Sequence, residues 1–550
     1  MIFSSKSNLN PKPIKVNGRE VEFVSKFKYL GVTLDSPRLT WKPHIQELAF
    51  ASNKRANILK ALSARAWGAD KKTLIMLYKS LVLSKLNYGA ELFTTASKEN
   101  LSILDKVQNN CLRLILGAEL SSPIVSLEIE SGIPPLELQR QKLQLSFLNR
   151  LRQLPNHLTV VQLLLGAGTS QTLRRSITHK QPLVIRCLTL EEGMEFRLPL
   201  CHPYPLYHPC PPWAKSPSIM CSLRSYSNEL LDQEAPSLFR ELSQSKYRDH
   251  IKIYTDGSRV PVLNRKYKVA AGMVVPERNF SDSWKLPSHF SIYSAELYGI
   301  SRALSYIEGH HILDGKYLIC SDSFSALLAI KSMENCKNNS LLWEVVDKYS
   351  RLKMQGIEIM MEWVPGHKGI PGNEKADKAA GEAIKLGYIT NPGSNNQDTK
   401  YFIMEHVKGL WKLRWEREFV QRGVGGHLRE IRQEILYWPW SNLPSNRKLE
   451  TMYARLRIGH CGLKANRTRF SNDFDPLCDC GIPETIHHVL FNCENYATRR
   501  EIMGRDLEEL GIALTLKNVL GGADVGLAKQ LLIRHVVSVF LASTGLINRI

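Results

Sequence analysis

Four short apolar runs, each ended by a turn or followed by an amphipathic stretch, occupy residues 250 to 385. Ile251–Thr255 reads as a strand closed by Asp256-Gly257-Ser258, and Val269–Val275 reads as a second strand. Ala295–Ile307 places Leu297, Ile300, Leu304 and Ile307 on one face of a helix. Tyr317–Cys320 is a short strand followed by a helix over about Phe324–Ile330. Ile357–Val364 is a strand followed by a Gly/Pro loop and a helix from about Asn373. Strands that alternate with amphipathic helices bury a sheet under those helices, so this block is predicted to be a mixed α/β layer structure.

The rest of the chain is read around that block. At 550 residues it exceeds one compact domain, and about three or four domains of ordinary size are expected. With 43% hydrophobic and 23% charged residues, a wholly disordered, collagen-like or fibrous chain is excluded. The 73 Lys and Arg against 52 Asp and Glu leave a net charge of +21, which favours a polyanionic partner, nucleic acid or an acidic membrane surface. No run of about 20 uncharged apolar residues is present. The nearest, Leu531–Ile550, is interrupted by Arg534 and His535, so no membrane partner is expected. No secretory signal is visible at the start, and eleven cysteines are read as reduced thiols of an intracellular protein, in nucleus or cytoplasm.

Residues 1–25 are polar and expected to be extended. Phe27–Asp35 has strand composition and ends in a turn at Asp35-Ser36-Pro37. Residues 40–150 are predicted to be helical. Leu74, Leu77, Tyr78 and Leu81 form one apolar stripe and Leu104, Val107, Cys111 and Leu114 another, with Gly117 as a C-cap. Residues 151–248 are read as a connector. Its segment Cys201–Trp213 is rich in proline, and Cys201, His202, His208 and Cys210 are read as incidental to a linker rather than as a metal site. Residues 400–550 are expected to be mostly helical, with a Cys/His knot at 478–493.

Four acids of the α/β block fall at element ends: Asp256, Glu296, Asp322 and Asp377. Carboxylates at the C-terminal ends of neighbouring strands converge on the sheet edge where α/β folds place their sites. Converging carboxylates repel one another unless divalent cations neutralise them, and hard oxygen donors select Mg²⁺ or Mn²⁺. Two such ions about 3.5–4 Å apart form a phosphodiester-cleaving arrangement. Taken singly, each acid is more simply a turn former or a helix cap.

The wording around these acids decides between the two readings. Tyr254-Thr-Asp-Gly-Ser258, Ser294-Ala-Glu-Leu297, Cys320-Ser-Asp-Ser323 and Trp363-Val-Pro-Gly-His-Lys-Gly-Ile-Pro-Gly-Asn-Glu-Lys-Ala-Asp377 resemble, in order and spacing, the four motifs of ribonuclease H type 1. The resemblance implies a ribonuclease H-like α/β domain over 249–386, with a five-stranded mixed sheet and flanking helices. It further implies a catalytic set of Asp256, Glu296, Asp322 and Asp377 holding two Mg²⁺ or Mn²⁺ ions, with His367 on a loop made flexible by Gly366, Gly369 and Gly372. The implied activity is metal-dependent hydrolysis of the RNA strand of RNA–DNA hybrids, with no small-molecule cofactor. Gly257, Ser258 and Ser323 adjoin the acids and are expected substrate contacts. The segment between Asp322 and Asp377 looks too short for the basic helical protrusion some members use to grip the hybrid, so binding is expected to draw on neighbouring regions.

The flanks resemble the C-terminal part of Jockey-like non-LTR retrotransposon polyproteins. Phe27-Lys-Tyr-Leu-Gly-Val-Thr-Leu-Asp35, Leu39-Thr-Trp-Lys-Pro-His-Ile45 and Leu86-Asn-Tyr-Gly-Ala90 are similar to the region after the reverse-transcriptase palm, which makes 1–150 a post-palm or thumb-like region. No Asp-Asp dipeptide occurs in the chain. The polymerase signature is therefore missing, and this polypeptide alone is not expected to synthesise DNA. In Cys478-Asp-Cys-Gly-Ile-Pro-Glu-Thr-Ile-His-His-Val-Leu-Phe-Asn-Cys493, the residues Cys478, Cys480, His488 and Cys493 suit a tetrahedral Zn²⁺. Similarity to the retrotransposon Cys/His motif favours His488 over His487. Free buried thiols or a lapsed site are the alternatives. Lys464, Arg467, Arg469, Arg499 and Arg500 could make the knot a nucleic-acid-binding module or only a solvated basic surface.

The sequence thus supports a hybrid-cleaving endoribonuclease first and a catalytically idle nucleic-acid-binding remnant second. A cellular ribonuclease H is disfavoured by the flanks. A transposase or integrase is disfavoured by the acid order and the histidine-bearing loop.

Overall fold

The computed structural model describes residues 1, 13–65, 67–154, 158–169, 181–194, 197–199, 216–262, 267–310, 315–333, 336, 339–393, 395–435, 446–468 and 474–550. Cys201, His202, His208, Cys210 and Arg469 lie outside them. The chain forms two units. One is made chiefly of Met1–Gln144 and His406–Ile550, the other chiefly of Val184–Glu405.

The second unit is built on a mixed six-stranded sheet. Its strands are β1 (Ile219–Met220), β2 (Ile251–Pro261), β3 (Tyr267–Val275), β4 (Phe280–Leu286), β5 (Lys316–Ser321) and β6 (Glu358–Trp363), in the order β1-β6-β5-β2-β3-β4. The pairs β2–β3 and β3–β4 are antiparallel, whereas β5 lies parallel to both β2 and β6. Five of these strands come from the 250–385 block. The sixth, β1, comes from the segment read as a connector and pairs parallel with β6. Strand β4 was not visible as a strand in the sequence because its residues Phe-Ser-Asp-Ser-Trp-Lys-Leu are half polar and mostly half-buried.

Alternation along the strands sorts the side chains onto two faces. Ile253, Ile319, Ile359 and Met361 face a core completed by α2 (Ile292–His310), α3 (Phe324–Ser332) and α4 (Ser340–Met354). Tyr254, Leu318 and Cys320 face the opposite core. That core is closed by α1 (Asn228–Ser245), through Leu231, Ala235 and Phe239, and by α5 (Pro371–Ala383), through Ala376 and Ala379. Gly272 on β3 is what lets α5 approach: a Cβ there would meet the Ala376 carbonyl oxygen at 2.5 Å and the Ala380 nitrogen at 2.7 Å. Helix α1 lies in the same range as β1, so residues before 248 contribute both a strand and a packed helix to this layer structure.

One expected boundary is corrected. The strand at Ile251 does not close at Asp256-Gly257-Ser258 but continues to Pro261, because β3 keeps pairing with it as far as Tyr267. Asp256 is therefore a mid-strand residue.

In the first unit, Phe27–Asp35 is not a single strand. It is an antiparallel hairpin, Lys26–Tyr29 with Val32–Asp35, turned at Leu30 and Gly31, both at positive φ (47° and 81°). The stripe at Leu74–Leu81 lies on a helical run from Lys71 to Asn87 whose middle, Tyr78–Leu83, is a π-helix. The extra residue per turn there rotates the buried face onto Val82 and Leu83. Helix Lys98–Leu116 ends on Gly117 in the left-handed conformation (φ 61°). The apolar core around Leu74, Leu104 and Leu112 also takes in Ala454 and Ile458 from helix Arg447–Ile458.

At the centre of this unit sits Glu130, fully buried. Its carboxylate accepts from Lys71 Nζ at 3.1 Å and from Arg457 Nη2 at 2.5 Å. Burial alone would raise this carboxyl, but Arg457 and Lys71 override it and hold it at about 2. No described helix is long and apolar enough to cross a membrane.

Replacing Glu130 with Ala removes the carboxylate that both buried cations share. It is expected to cost this unit about 3–5 kcal/mol, read as a lowered urea midpoint with an unchanged m-value. A loss under about 1 kcal/mol would show that the pair is solvated rather than buried.

Candidate active site

The register of two strands places the first pair of acids. The parallel pairing of β2 with β5 ends at Thr255 opposite Ser321. Strand β5 stops there, while β2 runs on against β3 alone. The next residues, Asp256 and Asp322, thus emerge side by side at the edge of the sheet. Glu296 comes from the second turn of α2, which packs close over β2 at Gly257: a Cβ on Gly257 would lie 2.9 Å from the Glu296 nitrogen. One carboxylate oxygen each from Asp256, Glu296 and Asp322 fall within 4.8 Å of one another.

The fourth acid arrives from the other layer. Asp377 lies in the second turn of α5, which Gly272 admits against β3. It is near enough to act electrostatically on Asp256 and Asp322. Its Oδ2 lies 3.5 Å from Nδ1 of His367, whose imidazole is 79% exposed. His367, Glu374 and Asp377 form a second group with potential ligand atoms within 4.8 Å.

The loop from Gly366 to Gly369 is tied down at several points. A Cβ on Gly366 would meet Asp322 Oδ2 at 2.5 Å, so a side chain there would push the Asp322 carboxylate out of its present position. The Gly369 N–H donates to Glu374 at 3.0 Å, and Lys368 forms an ion pair with Asp232 of α1. His367 itself takes a positive φ of 53°, uncommon outside glycine.

Electrostatics follow from this crowding. Burial, then the negative charges of Asp322 and Asp377, push the Asp256 carboxyl up to about 8. Burial raises Glu296 well above the usual carboxylate range, with Asp256 and Asp322 adding to it. Burial also raises Asp322, opposed by a hydrogen bond from Asn373 and by the His367 imidazole. A hard divalent cation fits this set. The donors are all oxygens, and Glu296 Oε2 is buried with no hydrogen-bond partner, an atom that a cation would satisfy.

Of the expected substrate contacts, Gly257 and Ser258 continue β2 past Asp256, both half-buried. Ser323 precedes α3, with its Oγ 3.5 Å from that of Ser325. Two neighbours of the acids escaped the sequence reading. Asn373, buried, reaches Asp322 through its side chain, and Trp363 Nε1 donates to the Asp322 carbonyl at 2.9 Å. Both lie inside the Trp363–Asp377 motif, which was the one available signal.

In the first unit, Cys478, Cys480, His488 and Cys493 bring four potential ligand atoms within 4.8 Å. Cys478 Sγ is 3.7 Å and Cys480 Sγ 3.9 Å from Cys493 Sγ, and Cys480 Sγ is 3.1 Å from His488 Nε2. Two bonds of about 2.3 Å at a tetrahedral angle separate their sulfurs by about 3.7 Å, so the group fits Zn²⁺. The tight Cys478-Asp479-Cys480 spacing is met by a turn through Gly481, at φ 83°, whose N–H donates to the Cys478 carbonyl at 2.8 Å. His487 is not in this group and packs at a tilt against Phe491, with ring centroids 5.0 Å apart. Two of the flanking cations have local partners: Lys464 binds Asp479 at 2.9 Å, and Arg500 donates to the Cys493 carbonyl at 2.9 Å.

Comparison with known proteins agrees with this geometry. Residues 248–385 match the family model for RNase H. The RNA-directed DNA polymerase from mobile element jockey of Drosophila melanogaster is 28% identical over 145 residues, 26% of this chain and 16% of that protein. The retrovirus-related Pol polyprotein from type-1 retrotransposable element R1 of Bradysia coprophila is 30% identical over 112 residues, 20% of this chain and 11% of that protein. Ribonuclease H1 of Rattus norvegicus is 26% identical over 168 residues, 28% of this chain and 57% of that protein. The matches thus span only part of each relative. Residues 248–385 are an RNase H domain, in a chain with homology to Jockey-like retrotransposon proteins and to ribonuclease H1.

The raised carboxyls make the stability of the metal-free protein depend on pH. A carboxyl held neutral by the fold contributes stability below its unfolded value near 4, and that contribution is lost as pH rises through its folded value, about 8 for Asp256. In EDTA the melting temperature of this unit should fall between about pH 4 and 8, and Asp256→Asn should flatten the decline. A flat wild-type profile would mean that the acids are not crowded in solution.

Proposed function

We propose that residues 248–385 cleave the RNA strand of RNA–DNA hybrids by two-metal-ion hydrolysis, within a retrotransposon-derived protein of the nucleus or cytoplasm. One observation carries this reading: Asp256, Glu296 and Asp322 gather within 4.8 Å inside the stretch that matches RNase H. Ribonuclease H1 among the relatives supports the substrate class.

Asp256, Glu296, Asp322 and Asp377 would hold the Mg²⁺ or Mn²⁺ ions. When bound, such ions neutralise the clustered charge, acidify a water and stabilise the leaving oxygen. The chain's own groups do the rest. Trp363 and Asn373 hold Asp322 against the edge. His367, exposed and 3.5 Å from Asp377, would help the cleaved product leave. Gly257, Ser258 and Ser323 border the acids, where a minor groove carrying 2′-hydroxyls would lie.

The test is cleavage of a 5′-labelled RNA–DNA hybrid by the full chain in Mg²⁺, against double-stranded RNA and double-stranded DNA. Hybrid-only cutting, abolished by EDTA and by Asp322→Asn, is expected. His367→Ala should lower kcat by ~10²-fold with little change in KM. Folded protein that binds the hybrid yet never cuts it would replace this reading with that of a binding remnant.

The Cys/His group supports a structural zinc. Purified protein should carry one Zn²⁺, and Cys493→Ser should lose it and loosen the helices packed around Val489 and Leu490. Cobalt substitution should give the absorption of a thiolate-rich tetrahedral site. Full folding with no bound metal would refute the zinc assignment.

A further inference from the structure

The segment before residue 248 carries a cation onto the ring of Phe324, two residues past Asp322. It enters the sheet as β1 and then turns through Ser222–Ser225 before α1. That turn is set by a buried carboxylate on β6. Glu362 accepts from the Ser222 N–H at 2.6 Å, from Ser222 Oγ at 3.0 Å and from the Tyr247 hydroxyl at 2.6 Å. Arg224, at the middle of the turn, is exposed, and its guanidinium carbon lies 3.3 Å from the centroid of the Phe324 ring.

Phe324 is two residues past Asp322 and donates its N–H to the Asp322 carbonyl at 2.9 Å. Trp363 meets the Phe324 ring edge-on at 6.5 Å and donates to the same carbonyl. Arg224 thus stacks on a residue whose backbone is bonded to that of Asp322. Lys331, exposed in the last turn of α3, lies near enough that both it and Arg224 act electrostatically on Cys221. Among the described residues no carboxylate forms an ion pair with Arg224 or Lys331.

We infer that Arg224, supported by Lys331, is a phosphate contact for the nucleic-acid strand that the acid cluster acts on. The inference rests on the nuclease reading for the identity of that strand. Its physical basis is separate. A guanidinium held over a ring face loses freedom while its N–H donors stay available at its rim, and that planar fork is what binds phosphate bidentately. The turn beneath it is anchored by Glu362, so little ordering remains to be done on binding. Substrate grip in this domain therefore comes from residues ahead of the matched stretch, in place of a basic helix between Asp322 and Asp377.

The experiment measures binding of a fluorescein-labelled RNA–DNA hybrid to the full chain in the Asp322→Asn background, across a salt series in Mg²⁺. Steady-state cleavage and melting temperature are followed in the otherwise wild-type protein. Arg224→Ala should weaken binding roughly fivefold to tenfold at physiological salt and reduce the slope of log Kd against log salt by ~0.9. It should raise KM with kcat unchanged and leave the melting temperature in place. Arg224→Lys should keep the slope, and Lys331→Ala should reduce it as Arg224→Ala does.

An unchanged slope and Kd in Arg224→Ala would overturn the inference, as would a lowered melting temperature with the slope intact, which would make Arg224 a structural clamp. If wild-type protein does not cleave but the slope still falls, the nuclease reading fails and the contact stands. If it cleaves and Arg224→Ala is indistinguishable from it, the reading stands and the contact falls.

Discussion

The parallel pairing of β2 with β5 stops at Thr255 and Ser321, and the acid edge depends on that stop. Because one strand ends and the other continues, two aspartates leave the pairing at the same height. Glu296 and Asp377 then arrive from opposite layers, each admitted by a glycine: Gly257 under α2 and Gly272 under α5. Ordinary packing would not gather such a set, because burial and mutual repulsion both favour the neutral acids, as the raised Asp256 and Glu296 show. The fold holds these carboxyls together through two apolar cores on either side of one sheet, whose burial outweighs the local cost.

The RNase H layer structure does not begin where its motifs begin. Strand β1 extends the sheet beyond β6, and α1 packs into the second core through Phe239, whose ring lies 6.2 Å from that of Tyr254 on β2. Glu362 explains how so short a strand is kept. A two-residue strand offers few ladder hydrogen bonds, but a buried carboxylate that accepts from Ser222 and Tyr247 would be left unsatisfied without this segment. The same segment reaches the histidine-bearing loop through Asp232 and Lys368.

The other unit joins the two ends of the chain by similar means. Lys71 and Glu130 lie 59 positions apart and Arg457 lies 327 positions beyond Glu130, and each is buried. The apolar stripes of Lys98–Leu116 and Lys71–Asn87 are complete only with Ala454 and Ile458 from the C-terminal half. Periodicity showed that these helices each have a buried face, but it carries no information about which element covers it.

What could be read from the sequence was local. The strand and helix patterns of 250–385, the four acids with their neighbouring words and the Gly117 cap all rest on side-chain spacing within one element, or on motifs whose residues lie close in sequence. The cysteine and histidine spacing was legible on the same basis, since all four residues lie within sixteen positions. Tertiary structure decided what depends on pairing between distant segments. It carried β2 past Asp256 because β3 continued to pair, folded Phe27–Asp35 back on itself at Leu30-Gly31, added β1 from the connector, and set Arg224 on Phe324. The physical reason is that a strand's length and a charge's surroundings are properties of the partner across the gap, and a single chain segment does not contain its partner.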